Sequence, residues 1–293
     1  MTTPKKYTTE TEDLGQNMRF DIMTVFPDMI KSAVGDSILG NAAEKGIIDV
    51  KLHDIRDYTK DKHRKTDDYP FGGGRGMVMT VQPVLDCHKA VCEGERVHTV
   101  YMSPQGSVLT QKKAEELSKL PRLCILCGHY EGVDERIIES IVDEEISVGD
   151  YVLTGGELPA AILVDCISRL IPGVLPDSEC YEIESISSGL LEYPQYTRPA
   201  SFDGMDVPEV LLSGHHENIE KWRRKKALEK TFAVRPEMIE TLRADGKLSF
   251  DDENVIRVCR GEEPIEKPSK RRRKKKAAEN VAAEKEGKPE NES

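Results

Sequence analysis

EISVGDYVLTGGELPA, residues 145–160, places strand-like residues (Ile146, Tyr151, Val152, Leu153) among three glycines, Gly149, Gly155 and Gly156. A core strand avoids glycine, which packs nothing and loses the most backbone entropy on folding. Glycine at such a place makes a tight turn or lets backbone approach a ligand closely, and for a single segment the turn is the commoner case. The helix that follows starts at Pro159, read as its first position, and is stopped by Pro172. Two similar segments lie upstream, SPQG at residues 103–106 and GHYEG at residues 128–132, each after an apolar run that reads as a strand. Three such turns at strand C-termini point to one ligand edge of an open α/β sheet.

The rest of the chain fits that class. RFDIMTVFP (19–27), IDVKLHDI (48–55), HTVYMS (98–103) and RLCILC (122–127) read as strands. Helical stretches are expected up to residue 44, over 83–93, from Thr110 as cap to residue 120, and over 134–143. Strands alternating with helices predict a mostly parallel sheet. Residues 57–77, DYTKDKHRKTDDYPFGGGRGM, form a long glycine-rich loop of the kind that carries function. It lacks the lysine and Ser/Thr of a phosphate loop and the dinucleotide glycine spacing. Backbone edges and apolar walls fit an adenosine better than a triphosphate.

The 293 residues carry a net charge of −11, yet residues 270–276 are wholly basic, KRRRKKK. Local patches rather than the sum decide phosphate binding. Seven cysteines form no regular framework, no apolar h-region opens the chain, and the longest apolar run contains Asp165 and Arg169. The expectation is a reduced, cytoplasmic protein without a membrane span. Cys124 and Cys127 have CxxC spacing, but inside an apolar strand this reads as core rather than zinc. Adjacent His215 and His216 do not share a helix face. Asp165 and Arg169 stand four apart on an otherwise apolar helix, as an ion pair or a working pair. The basic run at residues 221–230, with Arg223 and Arg224 beside Trp222, reads as a solvated face or an RNA-binding one.

In order, FDIMTVFPDM, DDYPFGGGRGMVM, YMSPQG, CGHYEGVDERI, SVGDYVLTGGELPA, SRLIPGVL, GLLEYPQYTRP and VPEVLLSGHHENIEKWR resemble the bacterial tRNA (guanine-N1)-methyltransferases, the TrmD family of the SPOUT superfamily. The resemblance runs from about Met18 to about Cys259. It implies an α/β, trefoil-knotted parallel-sheet methyltransferase domain with a small C-terminal helical domain, an arrangement that general connection rules would not predict. Residues 1–17 and 261–293 lie outside the match and read, from their polar and low-complexity composition, as a disordered extension and a disordered basic tail. Within it, the resemblance implies a knotted S-adenosylmethionine-binding domain over 18–175, a linker over 176–189 and a helical tRNA-binding domain over 190–260. It further implies a homodimer, tRNA as partner, no membrane, S-adenosylmethionine as methyl donor, magnesium, and methylation of guanine N1 just 3′ of the anticodon.

By the same resemblance, backbone at Gly128 and at Val148, Gly149, Asp150, Tyr151, Val152 and Leu153 grips adenine. Tyr101, Ser103, Pro104, Tyr130, Glu131, Gly155, Gly156 and Pro159 wall the cofactor. Arg169 matches the family's arginine. The family's aspartate base falls on Glu184, a glutamate here, with Glu182 and Asp177 as alternatives. Two rival expectations are a knotted methyltransferase for another RNA base or ribose, and a non-catalytic RNA-binding relative.

Overall fold

The computed structural model describes residues 17–176, 185–186 and 188–266. The chain divides into two compact units, residues 1–182 and 183–293. In the first unit, β1 (Met18–Thr24) leads into α1 (Pro27–Val34) and α2 (Ser37–Glu44). The single helical stretch expected here is thus broken, at Gly35 and the cap Asp36. β2 (Ile48–Asp54) passes into a short 3₁₀ turn at Ile55–Tyr58. β3 (Asp67–Asp68) and β4 (Val78–Met79) are two-residue strands flanking the glycine-rich loop. Next come α3 (Val81–Cys92), β5 (His98–Val108), α4 (Gln111–Leu117), β6 (Arg122–Cys127), α5 (Glu135–Ile141), β7 (Glu144–Ser147) and α6 (Glu157–Ser168).

Five strands form one parallel sheet in the order β2-β1-β6-β5-β7. A parallel sheet must be covered on both faces, so its strands are apolar on both sides. β6 illustrates the rule. Leu123, Ile125 and Cys127 enter the core beneath α1, α2, α4 and α6, while Cys124 and Leu126 enter the core beneath α3 and α5. The two cysteines of the CxxC therefore face opposite sides of the sheet, as the period of two requires.

Three local expectations are corrected. SPQG is not a turn after a strand. It lies inside β5, which runs to Val108 and shifts register against β7 between Met102 and Ser107. The irregularity re-aims the strand without ending it. Tyr151, Val152 and Leu153 are not strand but exposed loop. There Gly149 takes φ +149, and the Tyr151 amide donates back to the Gly149 carbonyl at 2.8 Å, so the chain turns away from the sheet. Pro159 is the third helical residue of α6, whose cap is Gly156. The position is tolerated because first-turn amides have no helical acceptor.

Asp21 on β1 is wholly buried beneath α3. It accepts from Arg19 Nη2 at 2.9 Å and Arg122 Nε at 2.7 Å, and lies 2.8 Å from His53 Nε2. Burial alone pushes its carboxyl up. The bonds to His53, Arg19 and Arg122 outweigh that and hold it down at about 2.

Among the described residues of the second unit are a small hairpin of β8 (Ser201–Phe202) and β9 (Met205–Asp206) and the helices α7 (Glu209–Leu212), α8 (His216–Val234), α9 (Pro236–Ala244) and α10 (Phe250–Cys259). Leu190, Ala227, Leu228, Ile239, Leu242 and Ile256 form its core. The basic run on α8 is not a bare cationic face. Lys221, Arg223, Lys225 and Lys226 pair with glutamates on the same helix, and Arg224 makes two bonds to Asp252. Exposed pairs of this kind contribute little to stability, so a phosphate can compete for them.

Asp21→Asn should destabilise the chain by about 3 kcal/mol, because it removes the negative charge that compensates the partly buried Arg122 and replaces one acceptor oxygen with a donor. The native carboxyl titrates near 2, against roughly 3.9 in an unfolded chain. Its contribution is therefore full above that unfolded value and lost as the pH falls toward the folded one. Urea denaturation of both proteins should show a gap at neutral pH that narrows in acid. A gap independent of pH would contradict this account.

Candidate functional site

The C-terminal halves of β5, β6 and β7 converge on a cavity of about 330 Å³. Each strand delivers one of the glycine-bearing segments to it. The approach is close. Gly156 N–H donates to the Gly128 carbonyl at 2.7 Å. A Cβ on Gly156 would stand 2.9 Å from both Cys127 Cα and Gly128 N, which are fixed backbone. His129 and Gly155 form an isolated antiparallel bridge beside this contact.

Most residues proposed from the sequence line this one cavity. Tyr101, Ser103 and Pro104 come from β5, Gly128, Tyr130 and Glu131 from the segment after β6. Val148, Tyr151, Val152 and Leu153 follow β7, and Gly155, Gly156 and Pro159 open α6. Gly149 and Asp150 do not line it. Gly149 instead shapes the turn: its amide donates to the Ser147 hydroxyl oxygen at 3.2 Å, and the same hydroxyl donates to the Gly149 carbonyl at 2.9 Å. Arg169 caps the C-terminal end of α6 and is half-buried, its amide bonded to the Asp165 carbonyl at 3.2 Å. It does not line the cavity. Glu184, Glu182 and Asp177 lie outside the described residues.

The walls are chemically divided. Pro104, Val148, Val152, Leu153 and Pro159 supply apolar surface, while Glu131, Glu135 and Glu145 supply carboxylates. The Tyr101 phenol is pushed up to about 12, first by burial and then by Glu145 and Glu135, so it is a neutral donor at physiological pH. Such a cavity takes a ligand with a flat apolar part and a positive charge. The glycine-rich loop is stitched to it through backbone: Glu131 N–H donates to Met77 carbonyl at 3.0 Å, and Met79 N–H to Gly132 carbonyl at 3.0 Å.

Sequence reasoning missed two residues here. Glu157, the first residue of α6, is 1% exposed; its Oε1 accepts from Thr24 Oγ1 at 2.8 Å. Its Oε2 lies 3.6 Å from His129 Nδ1, and both atoms are buried without a hydrogen-bond partner. A closure of about half an ångström would make that bond. His129 also packs on Phe26, ring centroids 4.7 Å apart. The pair thus ties the end of β1 to two of the cavity's segments. Both residues sit inside the quoted motifs, and a glutamate beside glycines at a helix start was the available signal.

A family model described as tRNA (Guanine-1)-methyltransferase TrmD matches residues 18–241. A tRNA (guanine-N(1)-)-methyltransferase of Ruminiclostridium cellulolyticum is 60% identical over 227 residues, 77% of this chain and 97% of the relative. Its namesake from Caldicellulosiruptor saccharolyticus is 50% identical over 248 residues, 85% of this chain and 100% of the relative. That from Heliobacterium modesticaldum is 48% identical over 268 residues, 88% and 98% respectively.

Gly156→Ala should cost about 1–3 kcal/mol, the range for forcing atoms into a packed site. Chemical denaturation reads the loss. Unchanged stability would mean that the Gly128 and Gly156 segments yield easily and that their close approach is not a fixed element of the cavity.

Proposed function

We propose, for a chain that belongs to the tRNA (guanine-1)-methyltransferase family, TrmD, that it transfers the methyl group of S-adenosylmethionine to N1 of the guanosine immediately 3′ of the tRNA anticodon, position 37. The observation that carries the reading is the cavity at the ends of β5, β6 and β7, with apolar walls beside carboxylates and backbone too close to admit side chains. That division fits a donor with an adenine ring and a cationic sulfonium and ammonium. When bound, S-adenosylmethionine supplies an electrophilic methyl carbon.

The residues do the rest. Guanine N1 carries a proton and attacks only as that proton leaves, which builds negative charge on O6. A general base and a cation are therefore required. We assign the base to Glu184 and the O6 partner to Arg169. Glutamate in place of the family's aspartate keeps the chemistry and lengthens the arm by one methylene. The cavity segments hold the methyl carbon in line, and Tyr101 and the apolar walls exclude water. The target base leaves its stack to react.

The same reading takes the three glycine-bearing segments as loops of a trefoil knot and the protein as a cytoplasmic homodimer that uses magnesium. Leu158 and Ile162, exposed one turn apart on α6, supply an apolar face for a second copy. In the second unit, Arg223 lies over the Tyr193 ring at 4.9 Å and Tyr196 stands beside Trp222. Aromatic surface among basic residues suits tRNA.

Incubation with labelled S-adenosylmethionine and tRNA transcripts, followed by nucleoside mapping, should yield 1-methylguanosine at position 37 and nothing on a transcript with adenosine there. Label on another base or on ribose, or none from folded protein, overturns the proposal. Gly149→Val should weaken S-adenosylmethionine binding in calorimetry with little change in melting temperature, since it distorts the turn after β7.

Glu184→Gln should lower single-turnover methylation by roughly 10²–10⁴ and leave S-adenosylmethionine affinity unchanged. Glu184→Asp should keep substantial activity. Arg169→Lys should fall further than that swap, because a point charge does not replace a planar fork. Normal turnover of Glu184→Gln would transfer the assignment to Glu182 or Asp177.

A further inference from the structure

Beneath α3, on the sheet face opposite α6, three metal-binding side chains meet. His88 and Cys92 are one turn apart on α3, and Cys124 rises from β6 to meet them. His88 Nε2, Cys92 Sγ and Cys124 Sγ all lie within 4.8 Å of one another. The Cys92 sulfur is 3.4 Å from His88 Nε2. Cys92 is 2% exposed and Cys124 is fully buried, while His88 is half-buried at the margin. Thr99 Oγ1 stands 3.1 Å from the same imidazole nitrogen. None of these residues lines the cavity at the strand ends, so its chemistry does not account for them.

We propose that His88, Cys92 and Cys124 form a binding site for one thiophilic divalent cation of the zinc class, which ties α3 to the central strand β6. Donor type is the first argument. Two sulfurs and an imidazole are soft-to-borderline ligands that select zinc-like ions over magnesium or calcium.

Charge is the second argument. Two thiolates neutralise a divalent cation, and the imidazole adds none, so the filled site is neutral overall. Burial in an apolar core disfavours any other balance. The neighbouring carboxylate, Asp21, is already committed to Arg19, His53 and Arg122.

Geometry is the third. Bonds of about 2.3 Å to sulfur and about 2.0–2.1 Å to nitrogen place tetrahedral donors roughly 3.5 Å apart. The His88–Cys92 pair stands at that separation already, and the trio needs at most a contraction of about 1 Å. Thr99 Oγ1 or a water can take the fourth position.

The test uses the full-length chain with Cys166, Cys180 and Cys259 replaced by serine, titrated with Cd²⁺ under reducing conditions against a weak competing chelator. One equivalent per chain should produce a thiolate-to-metal charge-transfer band and raise the melting temperature by several degrees. Cys92→Ser should abolish both. Should that variant fail to fold, His88→Gln, at the half-buried margin, must weaken Cd²⁺ binding at least tenfold while circular dichroism stays native. A folded parent with no stoichiometric band, a band unchanged in Cys92→Ser, or Cd²⁺ affinity unchanged in His88→Gln overturns the proposal and leaves a hydrogen-bonded core cluster.

Discussion

The contact between Gly156 N–H and the Gly128 carbonyl, 2.7 Å long, is the constraint around which the first unit is arranged. It brings the chain after β6 against the start of α6, although β7 and its loop intervene in sequence. A Cβ on Gly156 would run into the backbone of Cys127 and Gly128, and one on Gly128 would run into the Tyr101 ring, so both positions are glycine. The contact also places the N-terminus of α6 at the cavity, with Glu157 turned inward toward His129. Helix, strand ends and cavity wall follow from one short hydrogen bond.

The two faces of the sheet handle polarity differently. The face under α1, α2, α4 and α6 has an aliphatic core, with its buried polar groups, Thr24, Glu157 and Ser168, at the ends of β1 and α6. The face under α3 carries Asp21, Thr99, His88 and the thiols Cys92 and Cys124 among its apolar residues. Buried polar groups are tolerable only when each has a partner. Here the partners are one another. Asp21 is shared by two guanidinium groups and the His53 imidazole, and the imidazole of His88 stands between a hydroxyl and a thiol. A face built this way specifies its register, because sliding β6 by one residue would strand Arg122 and Cys124 together.

Much of this was legible in the chain. The strands of a fully buried parallel sheet announce themselves as apolar runs, and RLCILC is one of them, its CxxC split between the two faces. Many of the residues that line the cavity lie in the family motifs, although Gly149 and Asp150, expected with them, do not line it. What failed did so for local reasons. Pro104 and Gly106 look like punctuation, yet β5 carries them through an irregular register against β7. Tyr151, Val152 and Leu153 have strand composition, but the turn at Gly149 overrides composition. The His129–Glu157 pair and the His88–Cys92–Cys124 cluster join residues from separate elements, which no window along the sequence can see. The carboxylate assigned as base falls outside the described residues, so its place rests on the motif count alone.

The strand order has a consequence for how the chain is made. β1 pairs with β2 early, but its other neighbour is β6, with Arg19 opposite Arg122. At about 5–20 residues per second of synthesis, some 5–20 s separate the emergence of those two strands from the ribosome. Throughout that interval β1 presents an apolar, unpaired edge, and β5 arrives before the strand that will separate it from β1. The nascent chain must avoid pairing β1 directly with β5, a mistake that would exclude the central strand. Rare codons, or a chaperone acting before residue 122 is exposed, would therefore change the yield of native protein without altering a single native contact.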